Sequence, residues 1–205
     1  MIVEQLKDLS EIFSPDPRAD AFPTTVEGHH ERLSEIRLLD TVPEDVRNYF
    51  ETIKNICLYA RFVYPFYAVA EMLTFPLLEI ALRLRLRPGK NPRRADFRTL
   101  LNEAIGLGLI REEDFSYIRG TNEQQSDYAA LFQGPRCVRI TVPVRGAYLR
   151  ALQRALPSLR NLFAHPEFLS IQFPGGAFFA IRFAAEFINQ LYSEPSNTSR
   201  VQRQR

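Results

Sequence analysis

TVPEDVRNYFETIKNICLYA, residues 41–60, sets the secondary-structure period of the chain. Val46, Tyr49, Phe50, Ile53, Ile56, Cys57 and Ala60 recur at spacings of three and four, which gathers them on one face of an α-helix. Thr41 and Glu44 have capping-box spacing, and Pro43 suits a first helical turn. Working outward, the same period recurs. A second helix is expected from Pro65 to about Arg87, with a bend at Pro76. A shorter one is expected in ADFRTLLNEAIGLGL, with Asp96 as its cap and the glycines as its stop. A long one covers AYLRALQRALPSLRNLF, PGG resets the chain, and AFFAIRFAAEFINQLY forms a last, very apolar helix. Short helices are also expected in EGHHERLSEIRLL and REEDFSYIRG. CVRITVPVRG, with its β-branched alternation, is read as a short extended piece, and NEQQSDYAALFQGP carries no clear pattern. The fold class these patterns predict is all-α, an antiparallel bundle of four or five helices.

Around that bundle the chain divides into three parts. Residues 1–40 are an N-terminal extension whose SPDPRADAFPTT reads as a turn-rich linker. Residues 41–192 are the helical domain, with RPGKNPRR as a loop and a small insertion at about 110–145. Residues 193–205 have the composition of a disordered tail. There is no internal repeat.

Composition narrows the class of function. With 205 residues, 45% apolar and 24% charged, the chain suits a globular domain with a real core. A net charge of +2 gives no overall attraction to polyanions. The basic set is nonetheless nearly all arginine, since Lys7, Lys54 and Lys90 are the three lysines. Arginine's planar fork suits phosphate and carboxylate; genomic base composition explains the same bias equally well. Cys57 and Cys137 lack metal-ligand spacing, and no signal peptide is visible, so a reduced, cytoplasmic protein is expected. ICLYARFVYPFYAVAEMLTFPLLEIALRLRL is the most apolar run, but Arg61, Glu71, Glu79, Pro65 and Pro76 interrupt it. It is read as buried core helix and not as a membrane span.

The chemistry gathers in SLRNLFAHPEF, residues 158–168. On a helix turning about 100° per residue, Tyr148, Leu149, Leu152, Ala155, Leu156, Leu159, Leu162 and Phe163 form a core stripe. Arg150, Arg154, Ser158, Asn161 and His165 form the opposite one. Asn161 and His165, four apart, stack on one face. Arg160 lies about 140° around from His165, so one straight helix does not aim both at a small target. Pro166 biases His165 out of the helical region, and a second copy about a twofold axis would supply a missing half-site. The alternative is a helix-end histidine held by the carboxyl-end dipole and a surface arginine.

Arg160-Asn161-Leu162-Phe163-Ala164-His165 resembles the R-x4-6-H motif of HEPN ribonucleases, including the polar residue after the arginine. The setting at the end of a leucine-rich helix is similar too, and Glu79 in FPLLEIALRLR resembles the acidic residue on an earlier helix of that fold. The resemblance covers about residues 43–192. It implies a HEPN-type bundle and a homodimer whose two motifs share one site. The activity it implies is a metal-independent endoribonuclease with no cofactor, in which the ribose 2′-hydroxyl attacks phosphorus and leaves a 2′,3′-cyclic phosphate. It further implies a microbial toxin or antiviral defence effector, with RNA as substrate and an antitoxin or sensor protein as partner. His165 suits proton transfer near neutrality, and Arg160 suits the non-bridging phosphate oxygens. Asn161 either orients His165 or binds phosphate. Glu79 either holds Arg160 or is a carboxylate paired structurally with any nearby arginine. Arg150 and Arg154, on the polar stripe, are the RNA-binding candidates. The tyrosine that one family variant carries two residues after the histidine, as an adenylylation target, is Glu167 here. The rival expectation is a non-catalytic helical binding or signalling module of the same fold.

Two other groups carry weaker signals. Arg83, Arg85, Arg87, Lys90, Arg93, Arg94 and Arg98 either track a nucleic-acid backbone or form a solvated helix end and loop. His29 and His30, with Glu27 and Glu31, look superficially like a metal cluster; adjacent histidines on a helix point apart, so no metal site is expected. The phenylalanines of the last helix serve either the core or a dimer interface.

Overall fold

Six α-helices carry the described part of the chain: α1 Val26–Ser34, α2 Glu44–Tyr59, α3 Phe66–Leu86, α4 Phe97–Gly106, α5 Ala147–Ala164 and α6 Pro174–Tyr192. The structure, a computed structural model, describes residues 5–22, 25–87, 95–116, 146–164 and 174–193. Short 3-10 turns at Leu9–Glu11, Pro17–Ala21 and Glu112–Asp114 complete these elements, and among the described residues there is no strand. The all-α class therefore holds. NEQQSDYAALFQGP, residues 137–145 of CVRITVPVRG and His165 lie outside the described residues, as do residues 88–94 of the expected loop and 194–205 of the expected tail.

The apolar face read from residues 41–60 is the buried face of α2: Val46, Phe50, Ile53 and Cys57 are enclosed. Its start differs from the capping-box expectation. Pro43 occupies the N-cap and no side chain caps the helix. The Thr41 hydroxyl donates instead to the Tyr192 carbonyl at 3.0 Å, tying the end of α6 to the approach of α2. Asp96 does cap α4, accepting from Thr99 N at 2.7 Å. Past the end of α4, Gly108 takes a positive φ of 71° that a side chain would disfavour.

α3 is the central helix. Tyr67, Ala70, Thr74, Leu77, Leu78, Ala81 and Leu82 bury two of its sides, chiefly against α6 and α2. It runs unbroken through Pro76, which lies on its exposed side, where one lost backbone hydrogen bond is the smaller cost. α6 supplies Phe178, Phe179, Phe183, Phe187, Ile188 and Leu191 to the same core. Its wide apolar arc is thus consumed within one chain. Each fully enclosed Leu, Ile or Phe contributes about 1.5–3 kcal/mol relative to exposure.

Two anchors fix the direction of α6 against α3. At one end, His29 touches both Tyr67 and Phe178; at the other, the Tyr192 hydroxyl donates to the Ala81 carbonyl at 3.0 Å. Both intervals are 14 residues (81 − 67 and 192 − 178), so the helices run parallel, whereas α2 and α3, joined by a short turn, are antiparallel. Within the antiparallel bundle expected from the sequence, α3 and α6 are a parallel pair, and six helices are described where four or five were expected. α1 packs on α2 and brings His29 and Leu33 inside, so part of the N-terminal extension belongs to the same core.

Candidate functional site

α5 presents the two stripes its pattern dictates. Tyr148, Leu152 and Leu156 are buried, while Arg150, Arg154, Ser158 and Asn161 are exposed. Ser158 Oγ donates back to the Arg154 carbonyl at 3.1 Å, a local bond a helical serine makes readily. Arg160 sits at the border between the stripes. Its Nε and Nη2 donate to Glu79 Oε2 at 3.3 and 3.2 Å, bridging α5 to α3. Glu79 Oε1 accepts from Arg83 Nη2 at 2.5 Å, so one carboxylate lies between two guanidinium groups.

Glu79 is largely enclosed, at 14% side-chain exposure, whereas Arg160 keeps 39%. Among the described residues Arg160 Nη1 has no hydrogen-bond partner. A guanidinium held along one edge and open along the other is fixed in direction while still able to meet an anion. Glu79 and Arg160 are therefore brought together. Arg150, Arg154 and Asn161 lie on the open stripe of α5, and His165 is outside the described residues.

The remaining basic and histidine candidates separate. Arg87 forms an ion pair with Glu103 of α4, and the Arg85 guanidinium lies 5.9 Å from the centre of the Tyr192 ring. His30 is exposed, but His29 is enclosed, with Nδ1 3.4 Å from Tyr67 Oη and its ring against Phe178. Burial first, then the nearby Arg61 and Arg32, lower its pKa to about 4. Among the described residues no three His, Cys, Asp or Glu side chains gather as a metal site. No described helix is long and apolar enough to cross a membrane.

Two polar groups stand out that the sequence reading left aside. Asp16, in the supposed linker, is buried. It accepts from Arg18 N at 3.0 Å, Arg18 Nε at 2.8 Å, Arg18 Nη2 at 2.7 Å and Tyr64 N at 3.4 Å. Its own N–H donates to the Arg61 carbonyl at 2.9 Å. The Arg18 side-chain bonds, with the two backbone donors, lower its pKa to about 2. Arg18 in turn lies over the Tyr64 ring at 4.8 Å. This cluster fastens residues 16–22 to the α2–α3 turn. Its sequence signal was Asp before Pro, the N-cap and first-turn pair that opens the Pro17–Ala21 turn. Glu71, on α3, is buried with Oε2 unpartnered, and burial pushes its pKa to about 7. Its signal was a lone carboxylate in an apolar run.

No family model matches the chain, and no match was found among curated proteins or solved structures.

Proposed function

We propose that the protein is a HEPN-like, metal-independent endoribonuclease acting as a homodimer in the cytoplasm, as a microbial toxin or antiviral effector governed by an antitoxin or sensor protein. The observation that carries this reading is the Glu79–Arg160 pair. A glutamate on an earlier helix grips the motif arginine and leaves part of it open, as a phosphate-binding group requires.

In this reading, Arg160 binds the non-bridging oxygens of the scissile phosphate and Glu79 positions Arg160. His165 accepts the proton of the ribose 2′-hydroxyl, and the new 2′-oxygen–phosphorus bond forms as the bond to the 5′-oxygen breaks. The 5′-oxygen leaves with a proton from the second copy's motif, giving a cyclic phosphate and a 5′-hydroxyl. Asn161 orients His165 or meets the phosphate, and Arg150 and Arg154 hold the flanking backbone, a contact that weakens as salt rises.

A second reading, a non-catalytic helical binding module, is favoured by the same ion pair, because Glu79 already neutralises much of Arg160. Purified chain incubated with RNA in excess chelator separates the two. The nuclease reading expects cleavage that falls at least a hundredfold in Arg160→Ala and in His165→Ala. Cleavage that survives both substitutions, or that vanishes with chelator in the unaltered chain, overturns it.

A further inference from the structure

Glu79 serves its two guanidinium groups unequally. Arg83, one turn further along α3, donates from Nη2 to Glu79 Oε1 at 2.5 Å, the favourable order for a helical pair four residues apart. Arg160 meets the other oxygen, Oε2, through longer bonds of 3.3 Å from Nε and 3.2 Å from Nη2. Enclosure follows the same order. The side chains of Glu79 and Arg83 are 14% and 21% exposed, and that of Arg160 is 39% exposed. The shorter and drier pair is therefore the one within α3, and attraction between charges grows as distance and solvent decrease.

This asymmetry answers a conflict within the site. A carboxylate that aims Arg160 also cancels the charge that Arg160 offers to a phosphate. The three groups carry two positive charges and one negative, so one positive charge is left over. The closer hold of Arg83 on the carboxylate leaves that surplus on Arg160, the group most open to solvent. Asp96, at the start of α4, also feels Arg83, but its charge is met first by Thr99 and Arg98.

We infer that Arg83 is a positioning residue of the site: it holds Glu79 Oε1 so that Oε2 aims Arg160 without cancelling its charge toward a phosphate. Arg83 acts through Glu79 and touches no reacting atom. The inference rests on the proposed reading of Arg160 as the phosphate-binding group, and not on cleavage. The plain alternative, a pair that only steadies α3, predicts a loss of stability with unaltered affinity.

Binding without cleavage tests it. A 2′-O-methyl RNA oligonucleotide, which lacks the attacking hydroxyl, is titrated into the full-length chain at low salt, where phosphate contacts are least screened. Circular dichroism verifies the fold of each variant. Arg83→Met should weaken binding about fivefold, because the whole carboxylate charge then falls on Arg160. Arg83→Lys, which keeps the cation, should bind within about twofold of the natural chain. Adding Glu79→Gln to Arg83→Met should restore affinity to within about twofold of the natural chain, since glutamine keeps an accepting oxygen and drops the charge. A pair that only steadies α3 predicts no such recovery. Unaltered affinity in Arg83→Met overturns the inference, and so does a double variant as weak as the single one. Where Arg83→Met fails to fold, Arg83→Gln carries the same comparison. Arg160→Ala separates the two readings. Binding that ignores Arg160 removes the phosphate-binding reading, whereas binding that needs Arg160 and ignores Arg83 overturns this inference alone.

Discussion

Glu71 and Glu79 sit eight residues apart on α3, about two helical turns, and meet opposite environments. Glu79 lies between Arg83 and Arg160; Glu71 is enclosed with one oxygen unpartnered. Burial raises the Glu71 pKa from 4.5 to about 7, so the folded state favours the protonated form. Its contribution to stability is therefore fully present below about pH 4.5 and is lost as pH rises through 7. Glu71→Gln, which cannot ionise, should gain on the natural chain by up to about 3 kcal/mol between pH 4 and pH 8. Chemical denaturation across that range measures the difference, and parallel pH profiles would refute it.

At the scale of the element, the N-terminal strap shows how much one side chain decides. Asp16→Ala removes an ionic hydrogen-bond cluster and should cost about 2 kcal/mol, releasing residues 16–22 to protease while α2 and α3 stay protected. Because the Asp16 pKa is lowered to about 2, its contribution is present above about pH 3.8 and disappears as pH falls through 2. Limited proteolysis at neutral pH checks the first statement, and the same assay under acid checks the second. The strap also marks where the sequence was legible and where it was not. The core face of α2, the Asp96 cap and the two stripes of α5 follow from local spacing, which each segment carries in itself. Thr41 does not, since its hydroxyl is engaged by Tyr192, 151 residues away. Asp16 read as linker because the backbone groups that enclose it, at Arg61 and Tyr64, come some 45–48 residues later (61 − 16 and 64 − 16). The direction of α6 shows in its contacts with Tyr67 and Ala81 of α3 through His29 and Tyr192, and not in its own pattern. In the candidate site the Glu79–Arg160 contact was one of two stated alternatives, and periodicity alone could not choose between them.

At the scale of the whole molecule, α6 is largely enclosed among the described residues, its phenylalanines packed into the shared core. The Glu79–Arg160 pair lies where α3 and α5 meet. A bundle arranged this way serves as an enzyme only if a phosphodiester reaches the exposed edge of Arg160. The end groups of RNA cut by the purified chain in excess chelator examine this most directly. The account predicts 2′,3′-cyclic phosphate and 5′-hydroxyl ends from the natural chain and no such ends from Arg160→Ala. Fragments ending in 3′-hydroxyl and 5′-phosphate, or unchanged cleavage by Arg160→Ala, would contradict it.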